Sequence, residues 1–402
     1  MALDPTALRA HFPSLATGLA YFDGPGGTQT PRPVADAIAA TLTGPLSNRG
    51  TVSPSELNAE RAVKDFRTAY ADLLRMPANG VVHGRSATQL TYDFSRHLAK
   101  TWTAGDEIVL SRLDHDANVR PWIQAAERAG VTVRWIEIDA DTTQLDLDSY
   151  ERALSPRTRL VAVTAASNVL GTKPPLRAIA DRAHEAGALV YADGVHYAAH
   201  HLVDVPALGV DLFVCSPYKF LGPHCGVLAA APELLETLRP DKLLPSPDTV
   251  PERFEFGTLP YEILAGATAA VDFLATMDPG TSATQTSRRE RLTRSLTSLH
   301  EHEQSLRTRL QEGLDALGDA VTLHSKAPDR TPTLLMTFAG RDAREAQTHL
   351  AARDVVAPAG SFYAHEPFTA LKLEDPALRA GLAPYNTTDD VDRLLDGLAA
   401  FL

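Results

Sequence analysis

The segment ALVYADGVHYAAHHLVDVPALGVDLFVCSPYKFLGP, residues 188–223, decides how this chain folds. It holds two short apolar runs that are typical of buried strands, Leu189-Val190-Tyr191-Ala192 and Leu212-Phe213-Val214-Cys215. Asp193 closes the first run, and Lys219 follows the second between small polar residues and a Gly-Pro turn. Because ligands of parallel sheets bind beyond the carboxyl ends of the strands, we expect both side chains at one site.

The alternation of strands and helices extends from about residue 80 to about residue 230. The other apolar, β-rich runs are 107–110, 131–136 and 160–164. Helical segments at 121–129 and 176–186 each close on an Ala-Gly pair, which suits a helix C-cap. Strands separated by helices predict an α/β fold with a mainly parallel sheet that is covered on both faces.

The rest of the chain predicts a second, smaller α/β lobe. The Pro- and Asp-rich stretch 240–251 is typical of a surface loop, and a long helix follows over about 286–317. Short strand candidates lie at 321–323 and 333–338, before a closing helical stretch at 388–402. We therefore expect an N-terminal segment 1–20 that packs with the small domain, a large domain 21–270 and a small C-terminal domain 271–402.

Composition limits the class of protein. The length of 402 residues and the apolar fraction of 44% suit two domains or one large α/β unit with a sizeable core. The net charge of −12 argues against a nucleic-acid partner, and no stretch is apolar enough to span a membrane. The only two cysteines, Cys215 and Cys225, cannot form a disulfide framework, and no secretory signal begins the chain. A cytoplasmic location is expected.

Asp193 and Lys219 together point to a cofactor. Pyridoxal 5'-phosphate (PLP) needs a lysine amine to form a Schiff base and an acidic group that keeps its pyridine nitrogen protonated. A lone lysine near a turn is usually a solvated surface group. A strand-end aspartate followed by Ser216-Pro217-Tyr218-Lys219 therefore predicts a PLP site, and we predict no metal ligands.

His115 follows a predicted strand in the run Leu113-Asp114-His115-Asp116-Ala117-Asn118. This run can be a loop in which Asp114 or Asp116 caps the next helix. Alternatively, the imidazole can stack over a PLP ring and move protons. The residues alone leave both interpretations open.

Three further segments also have two interpretations each. Asn168, in the stretch 167–172, can donate to the phenolic oxygen of PLP or simply form a turn. The stretch 85–89 can be a phosphate site at a helix N-terminus or an ordinary helix cap. Arg379 can bind a substrate carboxylate through two parallel hydrogen bonds or take part in a surface ion pair.

Together these motifs resemble the class V aminotransferase family of PLP-dependent enzymes, close to the cysteine desulfurases. The resemblance spans nearly the whole chain. Its landmarks are Tyr21 to Gly27, Asp114-His115 through Pro121-Trp122, Ser167 to Thr172, Asp193-Gly194, Lys219, Arg253 to Thr258, and Arg379 to Thr387. It implies fold type I, with a seven-stranded sheet in the large domain, and a homodimer with shared active sites.

The resemblance also implies a role for each residue around the cofactor ring. Lys219 would carry the Schiff base, and Asp193 would pair with the pyridine nitrogen. His115 would stack on the ring. His196, where the family often has Gln, would face the phenolic oxygen together with Asn168.

Other residues would bind the phosphate and the substrate, again by resemblance. The phosphate site would consist of Ala87, Thr88, Ser216 and Tyr218, with Tyr218 replacing the more usual His. Gly257 and Thr258 would reach the phosphate of the neighbouring subunit. Arg379 would bind the substrate carboxylate, with Gly26 and Gly27 beside it.

One departure from the family bears on the reaction. Desulfurases need a mobile cysteine near the start of the C-terminal lobe, and here the corresponding stretch 355–363 has none. We expect Cys215 and Cys225 in or near the core, because a free cysteine behaves as a small hydrophobe. Persulfide-forming desulfuration is therefore disfavoured.

The reaction predicted in its place is β-elimination, the C–S cleavage of a cysteine derivative or conjugate. An epimerase similar to isopenicillin N epimerase, and a transaminase or decarboxylation-coupled deaminase, remain as alternatives. A true desulfurase and a non-catalytic protein of this fold are the least favoured. The loop 361–365 stands where the cysteine is lost and is expected to line a pocket for a bulky substituent.

Overall fold

A computed structural model of the protein describes residues 3–278, 286–373 and 376–402. Its strands are β1 (Ala20–Tyr21), β2 (Val81–Gly84), β3 (Glu107–Ser111), β4 (Thr132–Ile136), β5 (Thr158–Thr164), β6 (Leu189–Asp193), β7 (Leu212–Cys215), β8 (Gly226–Ala230), β9 (Val321–Leu323), β10 (Thr333–Phe338), β11 (Val355–Val356), β12 (Ala359–Gly360) and β13 (Ala377–Gly381).

Its helices are α1 (Pro5–Arg9), α2 (Arg32–Thr43), α3 (Pro54–Leu74), α4 (Ala87–Ala99), α5 (Arg120–Ala129), α6 (Leu147–Ala153), α7 (Leu176–Glu185), α8 (Val205–Leu208), α9 (Pro232–Thr237), α10 (Tyr261–Leu274), α11 (Arg288–Asp315), α12 (Ala343–Ala351), α13 (His365–Ala370) and α14 (Thr388–Phe401). Within the ranges that the structure describes, none of them combines the length and the apolar character of a membrane span.

The central sheet has seven strands in the order β2-β8-β7-β6-β5-β3-β4. All of its strands run parallel except β8, which pairs antiparallel with both β2 and β7. The predicted mainly parallel seven-stranded sheet is therefore confirmed. Its carboxyl edge brings the segments that follow β3, β5, β6 and β7 close together.

Local sequence explains why these elements form. Strands β5 to β7 consist largely of apolar residues, and β7 is buried along its whole length. Each fully buried Val or Leu side chain contributes roughly 1.5–3 kcal/mol to folding. The glycines that follow α5 and α7, Gly130 and Gly187, have φ values of 68° and 80°, which suits the left-handed turn that ends a helix.

The second sheet is antiparallel, in the order β12-β13-β10-β9, and packs with α12 and α14 around a separate apolar core. Strand β1 pairs with β11, so the segment that follows the N-terminal residues joins this part of the molecule. Residue 270, the predicted domain boundary, lies inside α10, which packs on α2 and α3 of the large domain. We propose that the boundary between the two domains lies after this helix, which ends at Leu274.

Candidate active site

A cavity of about 750 Å³ opens at the carboxyl edge of the central sheet, beside the second sheet. It brings together most of the residues that the sequence predicted: Gly26, Ala87, Thr88, His115, Asn168, Asp193, His196, Ser216, Tyr218, Lys219 and Arg379. Three predicted residues, Gly27, Gly257 and Thr258, do not line it. Gly27 lies just behind the ring of Tyr218, and Thr258 lines a second cavity of about 340 Å³.

Asp193 is the last residue of β6, and its carboxyl group is buried. Within the described part of the chain it accepts a hydrogen bond only from the backbone N–H of Val195, at 2.9 Å. Burial raises its pKa to about 6, against the opposing effects of that hydrogen bond and of Lys219. A carboxylate with so little compensation is stabilised by a cationic partner, such as a protonated pyridine nitrogen.

Lys219 ends a short 3-10 turn, Pro217–Lys219, directly after β7. Its Nζ donates hydrogen bonds to the carbonyl oxygens of Pro25 and Gly26, the latter at 2.9 Å. Burial and, to a lesser degree, the charge of Arg379 lower the pKa of Lys219 to about 8, against the opposing effects of Asp23 and Asp193. The amine is thus much closer to neutrality at physiological pH than an exposed lysine.

The start of α4 forms part of the cavity lining. Ser86 caps this helix by accepting a hydrogen bond from the backbone N–H of Gln89, so the predicted cap is present. The backbone N–H groups of Ala87 and Thr88 have no acceptor among the described residues. The hydroxyls of Ser216 and Tyr218 line the same cavity, and these donors together suit a phosphate group.

His115 caps the turn that follows it, because its Nδ1 accepts from the backbone N–H of Ala117 at 3.0 Å. The predicted cap from Asp114 or Asp116 is therefore wrong. Asp114 instead accepts from Ser111 and Asn118, and Asp116 pairs with Arg120. Burial lowers the pKa of His115 to about 4, so the ring is neutral and carries its hydrogen on Nε2.

Asn168 forms the predicted turn after β5 and also reaches the cavity. Its Nδ2 donates to the carbonyl oxygen of Phe362 at 3.1 Å. Its Oδ1 is buried without a hydrogen-bond partner in the described structure. The geometry is therefore compatible with both predicted roles of Asn168, a turn residue and a hydrogen-bond partner of PLP.

Arg379 lies on β13 and is only 3% exposed, so the predicted alternative of a surface ion pair is wrong. Its Nη2 is 2.6 Å from the Oδ1 of Asp23, and its Nη1 donates to the carbonyl oxygen of Asn168 at 3.2 Å. The guanidinium lies 3.9 Å above the ring of Phe362. Its Nε is buried and unpaired among the described residues, which leaves N–H groups for a substrate carboxylate.

Sequence reasoning gave no role to Asp23, whereas Phe362 and Tyr363 belong to the loop 361–365 that it expected to line a pocket. Asp23, Phe362 and Tyr363 all line the cavity, and the ring of Tyr363 stacks on His115 with 5.6 Å between centroids. Phe362 and Tyr363 both have a φ of 55°, an unfavourable value for bulky residues that often marks a functional loop. The sequence indicated the loop but not these conformations.

Neither cysteine lines this cavity. Cys215 lies on β7 and is fully buried, and Cys225 is 2% exposed. Burial raises the pKa of both thiols, so they are protonated and unreactive. The predicted core position of both residues is confirmed.

The cavity fits PLP on three independent features. Asp193 can pair with a protonated ring nitrogen, the start of α4 can hold a phosphate, and Lys219 supplies an amine in the same cavity. When bound, PLP withdraws electrons from the α-carbon of an amino acid that is joined to it. All three features belong to residues that line the cavity in this structure.

Comparisons with known proteins agree with this geometry. The family model for class V aminotransferases matches residues 20–394. A cysteine desulfurase of Klebsiella pneumoniae subsp. pneumoniae is 32% identical over 99% of this chain and 98% of its own. An uncharacterized protein of Mycobacterium tuberculosis, MT3887, is 30% identical over 100% of both chains. The crystal structure of the cysteine desulfurase CsdA from Escherichia coli matches with a TM-score of 0.87 and 27% identity, over 100% of this chain and 98% of that chain. The chain belongs to the class V aminotransferase family, whose enzymes depend on PLP.

Proposed function

We propose that this protein is a PLP-dependent lyase that cleaves the C–S bond of an S-substituted cysteine by β-elimination. The observation that carries the proposal is a cavity that contains an amine base, Lys219, and a buried guanidinium, Arg379, but no thiol among its lining residues. Elimination needs a base and a leaving group, whereas desulfuration also needs a nucleophile to accept the sulfur.

Lys219 is the residue suited to removing the α-proton. Its lowered pKa of about 8 gives a substantial neutral fraction near neutral pH. The Cβ–S bond then breaks, and the sulfur leaves with the bonding electron pair and takes up a proton. One water molecule is consumed in the overall reaction, and the products are a thiol, pyruvate and ammonium.

His115 supports elimination more than epimerisation. A two-base epimerase needs a second proton-transfer group besides Lys219. The Nδ1 lone pair of His115 is occupied by the backbone N–H of Ala117, and its Nε2 carries a hydrogen. His115 can therefore donate a hydrogen bond to a departing sulfur, but it has no free lone pair with which to accept a proton.

Phe362 and Tyr363 support a substrate with a bulky sulfur substituent. Phe362 covers one face of the Arg379 guanidinium, and Tyr363 extends the wall of the cavity beyond His115. Pro358 also lines the cavity and adds apolar surface to it. We infer that an aromatic or large aliphatic S-substituent packs against this loop.

Carbon-product analysis tests the reaction. The PLP-loaded protein is incubated with S-benzylcysteine, S-methylcysteine and cysteine, and pyruvate, alanine and the D-amino acid are measured. We expect the wild-type protein to release pyruvate and a thiol in equimolar amounts, and Lys219→Ala to release neither. Alanine with protein-bound persulfide would indicate a desulfurase, a D-amino acid an epimerase, and a keto acid that retains the sulfur a transaminase. Each of these would overturn the proposal.

We also propose a homodimer in which Gly257 and Thr258 contribute to the partner's phosphate site. Two observations support it: Thr258 lies outside the cavity of its own chain, and the neighbouring Phe256 is 46% exposed. Light scattering should give twice the 43.3 kDa mass of the chain. Thr258→Ala should weaken PLP retention without changing that mass.

A further inference from the structure

His196 is a buried histidine whose two ring nitrogens have different surroundings. Its Nε2 lies 2.9 Å from the Oγ1 of Thr331 and 3.1 Å from the Oγ1 of Thr333. Its Nδ1 is buried and has no partner among the described residues, although the ring lines the active-site cavity. One nitrogen is therefore held by the protein, and the other is left for a group bound in the cavity.

The ring of His196 is neutral, so only one nitrogen carries a hydrogen. Burial lowers its pKa well below the usual value, and His200, Arg379, Lys219 and His201 all lower it further. Asp193, which also lines the cavity, has a raised pKa and is itself shifted towards its neutral form. The position of the single hydrogen then decides whether the free Nδ1 donates or accepts.

Thr333 determines which ring nitrogen of His196 carries the hydrogen. It is fully buried, and within the described structure its hydroxyl has one hydrogen-bond partner, the Nε2 of His196. A buried hydroxyl hydrogen without an acceptor is unfavourable, so Thr333 donates to Nε2. Thr331 has a second acceptor, the carbonyl oxygen of Gly171 at 3.5 Å, and can satisfy its own hydrogen there. With Nε2 accepting, the hydrogen of the imidazole lies on Nδ1.

We propose that Thr333, with Thr331 beside it, is a positioning residue that fixes His196 in the Nδ1–H form and so makes it a hydrogen-bond donor to the phenolic oxygen of PLP. A glutamine at this position donates through its amide whatever its neighbours are. A histidine donates through Nδ1 only when that nitrogen carries the hydrogen. Here Thr333, the first residue of β10 in the second sheet, fixes the hydrogen there. The proposal holds whichever reaction follows.

The test is the pH titration of the visible absorbance of the PLP-loaded protein, compared between wild type and Thr333→Val. A donor to the phenolic oxygen weakens the attraction of that oxygen for the proton on the Schiff-base nitrogen. Loss of the fixed tautomer should therefore raise the titration midpoint, by about one pH unit for one buried hydrogen bond. Thr333→Ser keeps the hydroxyl and should titrate like wild type.

A double-mutant cycle with His196→Gln tests whether Thr333 acts through the tautomer of His196. Thr333→Val should leave the midpoint unchanged in the His196→Gln background, because glutamine has no tautomer to fix. An equal shift in both backgrounds, or no shift in wild type, would overturn the proposal. If Thr333→Val does not fold, long-range nitrogen–proton NMR of histidine-labelled wild type decides the question, with His196→Gln to assign the signal. A hydrogen on Nε2 would refute it.

Discussion

The guanidinium of Arg379 and the carboxylate of Asp23 lie 2.6 Å apart in the wall of the active-site cavity, although 356 positions separate them in the chain. Arg379 is almost fully buried, while Asp23 is 36% exposed. The pair joins the second sheet to the segment that carries Gly26. It holds the arginine in place before any carboxylate binds.

Removing this pair should destabilise the protein. Asp23→Asn leaves a buried guanidinium without its charged partner, and we expect a loss of about 1–3 kcal/mol in the free energy of unfolding, measured in urea. The matched control is the exposed pair Arg309–Asp392, in which Asp392→Asn should cost less than about 1 kcal/mol. Equal losses in the two variants would contradict a special role for the buried pair.

The lyase reaction should not depend on a thiol. The double variant Cys215→Ala/Cys225→Ala should keep its kcat for pyruvate release within a few-fold of wild type, because neither residue lines the cavity. It should be less stable, since two buried side chains become smaller. A thiol-dependent reaction would instead be abolished, and kcat should be compared at a temperature at which both proteins are folded.

The capture of PLP should follow the pKa of Lys219. The amine must be neutral to attack an aldehyde, and burial lowers its pKa to about 8. The rate at which the apoprotein takes up PLP, followed by stopped-flow absorbance, should therefore rise with pH to a midpoint near 8. A midpoint close to that of an exposed lysine, about 10.4, would show that the amine is not perturbed.

Stability should fall with rising pH because of Asp114. Burial raises the pKa of this carboxyl to about 8, and its hydrogen bonds from Ser111 and Asn118 offset only part of that effect. The folded state then binds a proton that the unfolded state has released between about pH 4 and 8, so stability declines by up to about 1.4 kcal/mol per pH unit over that window. Asp114→Asn should remove this part of the slope. Urea unfolding at several pH values measures it, and an unchanged slope would refute the assignment.

Tyr363 should discriminate between substrates of different size. Tyr363→Ala should lower kcat/KM for S-benzylcysteine roughly tenfold and leave S-methylcysteine nearly unchanged, because only the larger substituent reaches the ring. Tyr363→Phe keeps the ring that stacks on His115 and should behave like wild type. An equal loss of kcat/KM for both substrates would show that Tyr363 acts by positioning His115 and not by contacting the sulfur substituent.

The sequence by itself determined five strands of the central sheet, β3 to β7, and pointed to the two residues that we propose anchor the cofactor. Apolar runs of strand length and Ala-Gly helix ends are local signals, and they set the order of β3 to β7. Asp193 and Lys219 follow directly from that order, because residues at the ends of parallel strands share one edge of the sheet. The start of α4 is local as well, since Ser86 caps the helix within three residues.

Only the tertiary structure decided how the second sheet completes the site. The contacts of Arg379 with Asp23, of Thr333 with His196 and of Phe362 with Asn168 join segments that are 137 to 356 positions apart. No periodicity or capping signal encodes such pairs, because they depend on how β10 and β13 pack against the carboxyl edge of the central sheet. The same packing buries Arg379. For this reason, an arginine that the sequence could place in a surface ion pair lies inside the candidate active site.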